Sequence, residues 1–212
     1  MLQINEIFHS IQGEALATGR PCTFVRLTGC NLRCSWCDTE YAFHEGRPMT
    51  VGQVMAEVDS HGCSLVEVTG GEPLLQAESV LLMERLLESG REVLIETGGG
   101  VSIAAVPRGV GIILDIKCPG SGESESNLWN NLNLLPDGSQ VKMVVRDHDD
   151  FSWAADRVRE LGLTSRFNVF LAPVEGQCSP GDLAEWILES GLDVRLQIQL
   201  HKVLWPHLDR GV

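Results

Sequence analysis

Cys30, Cys34 and Cys37 stand at C-x3-C-x2-C spacing in the stretch Cys30-Asn31-Leu32-Arg33-Cys34-Ser35-Trp36-Cys37-Asp38-Thr39, directly after an apolar, strand-like run. Thiolates this close can converge on one soft metal centre, and sulfur ligands select zinc or iron-sulfur clusters over magnesium or calcium. The number of thiols narrows the choice. A structural zinc is closed by four protein ligands, and an electron-transfer 4Fe-4S cluster takes four cysteines. Three cysteines on a four-iron cluster leave one iron open, where a small molecule can be activated. The plain alternative is three unrelated buried thiols, but three of the seven cysteines fall within eight residues. A non-catalytic iron-sulfur or zinc module would need a fourth ligand nearby, and the nearest spare cysteines, Cys22 and Cys63, lie outside the motif.

Other residues carry chemistry at the ends of predicted strands. Gly70-Gly71 would let backbone approach a ligand with no side chain in the way; the plain alternative is a tight turn, with Glu72-Pro73 starting a helix. The Arg26 guanidinium suits bidentate capture of a carboxylate, or else pairs on the sheet surface. Asp38 and Thr39 add side-chain oxygens to the cysteine loop. Glu96 is either an acceptor for ribose hydroxyls or a strand-end carboxylate in a network. Glu14 is a loop charge or an acceptor for ligand N–H groups. His201 and the other histidines, together with Cys22, Cys63, Cys118 and Cys178, take a structural role by default.

The elements that must position these groups alternate. Strands are expected at Leu2 to Phe8, Cys22 to Thr28, Leu65 to Thr69, Arg91 to Thr97, Val110 to Lys117, Gln140 to Arg146, Arg166 to Leu171 and Asp193 to Leu200. Helices are expected from a capping box at Thr50 to about Ser60, from Ala77 to Ser89 before Gly90, from an Asp149 or Asp150 cap to Leu161, and from Ser179 to about Ser190. The Cys118 to Ser126 segment reads as a solvated excursion or a lid. Alternating strands and helices predict βα units around a parallel sheet in one domain over residues 1–212. Chemistry in such folds collects at the carboxyl ends of the strands. Cys30, Gly70 to Pro73, Glu96, Asp115, Lys117, Arg146, Glu175, His201 and Lys202 all fall there.

A chain of 212 residues, 43% hydrophobic and 21% charged, has no apolar run long enough for a membrane span. Its start lacks the order of a secretory signal, so a cytoplasmic location with reduced thiols is expected. A net charge of -13 disfavours direct binding to a nucleic-acid backbone.

The cysteine loop resembles that of radical S-adenosylmethionine (SAM) enzymes, and Thr69-Gly70-Gly71-Glu72-Pro73 is similar to their glycine-rich SAM motif. Gln12-Gly13-Glu14, Cys37-Asp38-Thr39, Ile95-Glu96-Thr97 and His201-Lys202 further resemble the 7-carboxy-7-deazaguanine synthase family, nearly the whole chain long. The resemblance implies an incomplete parallel (β/α) barrel of the radical SAM type with a reduced helix complement. It implies a 4Fe-4S cluster on Cys30, Cys34 and Cys37, and magnesium on Thr39. SAM would lie against Trp36, Cys37, Asp38, Gly71, Glu96, Asp115, Lys117 and Glu175. A pterin substrate would lie against Ile11, Gln12, Gly13, Glu14, Arg26, Thr69 and His201. The implied chemistry is SAM cleavage to a 5'-deoxyadenosyl radical, hydrogen abstraction from the pterin, ring contraction and loss of ammonia, serving queuosine and deazapurine biosynthesis. The protein positions the cofactors that do this, and no protein nucleophile is implied. A flavodoxin or similar electron donor and a homodimer are implied too. A glycyl-radical activating enzyme, of similar size and with an Asp-x-Lys segment, is the alternative within the superfamily. The family often has Gly where this chain has Ala15, and Ser-Pro-Lys where it has Asp115-Ile116-Lys117. The tail Val203 to Val212 continues past the His-Lys pair, so no role for a terminal carboxylate is carried over.

Overall fold

The computed structural model describes all 212 residues. Its strands form one open sheet of nine, in the order β3-β1-β2-β4-β5-β6-β7-β8-β9. β1 (Leu2–Ile11) and β2 (Pro21–Leu27) pair antiparallel, and β3 (Arg47–Met49) adds an antiparallel edge to β1. From β2 onward the pairing is parallel, through β4 (Leu65–Gly70), β5 (Glu92–Thr97), β6 (Gly111–Asp115), β7 (Gln140–Val145), β8 (Asn168–Pro173) and β9 (Arg195–Leu196). The sheet is therefore mostly parallel, with an antiparallel start, and its two edges do not meet.

The helices are α1 (Val51–His61), α2 (Glu78–Glu88), α3 (Asn131–Leu134), α4 (His148–Glu160), α5 (Pro180–Ser190) and α6 (Leu200–Leu204). Thr50 caps α1 in a full capping box, accepting from the Gln53 N–H at 3.2 Å while Gln53 Oε1 accepts from the Thr50 N–H at 2.8 Å. Asp147, not Asp149 or Asp150, caps α4, accepting from both of their amides. Asp150 is buried and accepts instead from Gly120 N–H at 2.7 Å and Arg146 N–H at 3.1 Å.

Period-2 alternation gives the sheet two different faces. On the helix-covered face, Val66, Val68, Val93, Ile95, Ile112, Leu114, Val141, Met143, Val169 and Leu171 join Val54, Leu82, Met83, Leu86, Phe151 and Leu183 in the main core. Each such side chain contributes about 2 kcal/mol by leaving water. The opposite face begins with a smaller apolar plug of Phe8, Phe24, Leu65, Leu94, Ile113 and Phe170. Two residues further along the strands of Phe24, Leu65, Leu94 and Ile113 come Arg26, Glu67, Glu96 and Asp115, with Lys142 on neighbouring β7, so one face changes from apolar to charged over a single alternation.

Three local expectations change. The predicted strand from Asp193 to Leu200 narrows to Arg195–Leu196, because Gln197 and Gln199 turn their amides toward Glu14 and Leu200 N–H binds Gly13 O at 3.1 Å. His201 thus lies on the short helix α6 rather than after a strand. The Cys118 to Ser126 segment is neither a free excursion nor a loose lid. Its Gly120 and Ser121 carbonyls accept from Ser35 Oγ (2.9 Å) and Ser35 N–H (3.0 Å), and Glu123 accepts from Arg33 N–H at 2.7 Å, pinning it to the cysteine loop.

Candidate active site

A cavity of about 620 Å³ opens at the carboxyl ends of the parallel strands, the size of a small-molecule site. Cys30, Cys34, Cys37, Thr39, Trp36, Asp38, Gly71, Glu96, Asp115, Lys117 and Glu175 all line it, as do Ile11, Gln12, Gly13, Glu14, Arg26, Thr69 and His201. Every side chain singled out for cluster, metal, cofactor or substrate therefore faces one space. Arg146 does not: it pairs with Asp147 at 2.9 Å on the surface and donates to Gly120 O at 3.3 Å. None of Cys22, Cys63, Cys118 and Cys178 lines the cavity.

The cysteine end is built close to the chain. Burial raises the thiols of Cys30 and Cys37 and pushes Cys34 up to about 11, the neighbouring Lys117 ammonium working against that rise at Cys34. Iron would bind them as thiolates and release their protons. Three free thiols facing one cavity, without a fourth, suit a wider four-iron cluster with an open iron. Gly70 and Gly71 line the cavity, and packing gives a further reason for their lack of side chains. A Cβ on Gly71 would come within 2.3 Å of Gly29 O and 2.7 Å of Cys30 Cβ, and one on Gly70 within 2.3 Å of Leu27 O. The missing side chains let the turn pack on the cysteine loop itself. Glu72 is wholly buried and accepts from Thr97 Oγ1 (2.8 Å) and Gly98 N–H (2.9 Å), tying the β4 and β5 turns together.

Asp38 and Thr39 extend that loop. Burial would raise the Asp38 carboxyl, but Lys202 at 3.1 Å and the Thr39 hydroxyl, donating at 2.9 Å, hold it well below the usual carboxylate range. Lys202 also reaches Glu175 at 3.2 Å, joining the β8 turn to the cysteine loop. At the end of β6, Lys117 pairs with Asp115 at 3.0 Å, and Asp115 leaves Oδ1 buried with no protein partner. An orphaned acceptor beside the cavity suits a ligand with donors to give.

The other end assembles distant segments. Glu14 accepts from Lys142 Nζ at 2.9 Å, Gln197 Nε2 at 2.8 Å and Gln199 Nε2 at 3.0 Å; burial would raise it, yet these partners leave it lowered. Gln12 donates to Glu67 and accepts from Glu14 N–H at 2.8 Å, which fixes its amide. Burial, with Glu96 and Glu14 near, pushes the Glu67 carboxyl up to about 8. Arg26 gives only Nε to Glu6, at 2.8 Å, where Tyr41 Oη also donates at 2.9 Å. Its two terminal nitrogens remain for a ligand carboxylate. Gly13 must lack a side chain because a Cβ would sit 2.6 Å from His201 Nδ1. Burial lowers His201, keeping its ring neutral near pH 7. Beyond it Trp205, Pro206, Leu208 and Asp209 of the tail line the same cavity, and Arg210 holds the tail to Glu45 at 2.8 Å and lies 3.9 Å over the Tyr41 ring. Sequence reasoning missed Glu67, Lys142, Gln197, Gln199 and this tail. A lone lysine inside the apolar run Val141 to Val145 was the available signal, since lysine is almost never buried unpaired.

A mostly parallel open sheet that presents a three-cysteine loop beyond β2 and a glycine turn beyond β4 is a radical SAM protein, and the Radical SAM superfamily model matches residues 24–109. A 7-carboxy-7-deazaguanine synthase from Koribacter versatilis (strain Ellin345) is 46% identical over 226 residues, covering 100% of both chains. One from Chlorobaculum tepidum is 43% identical over 214 residues, covering 100% of this chain and 97% of that protein. The crystal structure of QueE from Escherichia coli shares the fold with a TM-score of 0.76 at 23% identity, over 94% of each chain. The chain belongs to the 7-carboxy-7-deazaguanine synthase family. Full-length likeness to these synthases decides between them and the activating enzyme or passive metal module.

Proposed function

We propose that this chain converts 6-carboxy-5,6,7,8-tetrahydropterin to 7-carboxy-7-deazaguanine with loss of ammonia, as a radical SAM lyase of queuosine and deazapurine biosynthesis. One observation carries the reading: the side chains matching the family's cluster, SAM, magnesium and pterin positions line a single cavity in a chain 46% identical to a synthase along its whole length. Cys30, Cys34 and Cys37 hold the 4Fe-4S cluster, and Thr39 beside Asp38 holds magnesium. Trp36 to Asp38, Gly71, Glu96, Asp115, Lys117 and Glu175 receive SAM. When bound, cluster and SAM together supply the radical that begins the ring contraction.

The chain's own residues orient the pterin. Glu14, kept ionised by its three donors, accepts from the pterin amino and ring N–H groups. The free terminal nitrogens of Arg26 grip the carboxylate, while Ile11, Gln12, Gly13, Thr69 and His201 close the remaining sides. Trp205, Pro206, Leu208 and Asp209 of the tail complete the wall. One radical SAM domain over residues 1–212, a homodimer in the cytoplasm and a flavodoxin or similar reductant complete the proposal. No helix is long and apolar enough to cross a membrane.

The test is anaerobic incubation of cluster-loaded protein with SAM, magnesium, reductant and the carboxytetrahydropterin, followed by mass spectrometry. A product lighter by one ammonia is expected. Absence of turnover by fully loaded protein would overturn the proposal.

A further inference from the structure

We propose that Lys142 is a positioning residue for this reaction, its ammonium fixing the carboxylate of the pterin half, Glu14, and those of the SAM half, Glu96 and Asp115, in one arrangement. The proposal rests on the functional reading above and deepens it. Lys142 sits in the middle of β7 with its side chain 6% exposed. Its Nζ lies 2.9 Å from Glu14 Oε2, hydrogen-bonds Glu96 Oε1 and stands 3.5 Å from Asp115 Oδ2. Asp115 and Lys142 are also register partners across β6 and β7.

An ammonium has three protons and accepts nothing. Three carboxylates, from beyond β1, from β5 and from β6, surround it: Glu14 and Glu96 accept hydrogen bonds and Asp115 stands at ion-pair distance. Lys142 lines the cavity with its ammonium turned to these carboxylates, so its action on the reaction runs through its neighbours. The dependence is unequal among them. Glu14 keeps Gln197 and Gln199 if Lys142 is lost, and Asp115 keeps Lys117. Glu96 has no other hydrogen-bond partner in the protein. Glu67, buried beside them, adds a further acid to the same interior. Without the ammonium these groups repel or take up protons, and Glu96 loses the contact that sets its direction toward SAM.

The measurement is the equilibrium dissociation constant of SAM and, separately, of the carboxytetrahydropterin, on cluster-loaded wild type, Lys142→Met, Glu14→Gln and the double variant. Lys142→Met is expected to weaken both ligands by about tenfold or more, the range seen when supporting partners of site ligands are removed. Glu14→Gln should weaken only the pterin. The double variant removes one stranded charge and so protects folding, yet it should still bind SAM about tenfold more weakly than Glu14→Gln alone. Equal SAM affinity in the double variant and in Glu14→Gln would overturn the proposal, as would loss of only one ligand's affinity in Lys142→Met. These equilibrium values are read whether or not turnover occurs. A wild type that binds both ligands but makes no product overturns the functional reading, and unchanged affinities in Lys142→Met, where the wild type turns over, overturn this inference alone.

Discussion

The two ends of the cavity are made by different means. At the cysteine end, ligands come from one short loop, and its position is set by backbone contact: the Gly70-Gly71 turn and the Cys118 to Ser126 segment press directly on it. At the opposite end, Glu14 is held by Lys142, Gln197 and Gln199, residues 128 to 185 positions away. One end takes its thiols from a single loop held largely by backbone packing, the other gathers its groups from across the chain through charged and amide side chains. A covalently ligated cluster needs its thiols in register above all. A polar planar substrate needs fixed donors and acceptors in a dry place, which only a buried network supplies.

The sharpest way to break the contrast is at the thiols. Cys34→Ala should abolish the brown colour and iron content of the reconstituted protein while leaving the Glu14 network and pterin binding close to wild type; retained iron would refute the ligand assignment. Gly71→Ala comes next. Its Cβ must displace Gly29 or Cys30, so iron loading should fall steeply and SAM binding with it, whereas an equal change at the charged end would contradict a local effect. Glu14→Gln should raise the pterin KM by about 10- to 100-fold, the range for removing a hydrogen-bonded buried charge, with iron content unchanged.

Glu67 sharpens the electrostatic side. Its folded carboxyl, pushed up to about 8, stays protonated where the unfolded one, near 4.5, has ionised. The native state therefore binds more protons than the unfolded state between those values, and stability falls as pH rises through that window. Glu67→Gln should flatten that decline in denaturant titrations at successive pH values; an unchanged slope would remove Glu67 as its source. The smallest effect is expected at Ala15, a non-glycine residue at φ 59°. Ala15→Gly relieves left-handed strain of about 1–2 kcal/mol but loosens the unfolded chain by about 0.5–1 kcal/mol and deletes a buried methyl. A stability change within about 1 kcal/mol of zero follows.

The same contrast explains what was legible in the sequence. The cysteine end could be read because its spacing is local and its glycines follow a recognisable strand. Most strands and the Thr50 and Ser179 caps were readable for the same reason. The charged end was not. Nothing near Lys142 in the chain announces Glu14, and nothing in Gln197 or Gln199 distinguishes an edge strand from a turn aimed at a carboxylate. The expected strand to Leu200 and the Asp149 or Asp150 cap failed where a side chain's partner lay far along the chain. Gln12, Glu14, Arg26 and His201 were reached by family resemblance, and their partners Glu67, Gln197, Gln199 and Lys142 were not. The glycines of the SAM motif were legible as a turn open to a ligand, while their packing against Leu27 and Gly29 was not.

An anaerobic crystal structure of the cluster-loaded protein with SAM and the carboxytetrahydropterin bound tests the division of the cavity most directly. Iron scattering at Cys30, Cys34 and Cys37, SAM toward Glu96 and Asp115, and the pterin ring against Glu14 with its carboxylate at Arg26 are predicted. A pterin bound away from Glu14 and Arg26, or iron held by any other residues, would contradict the account.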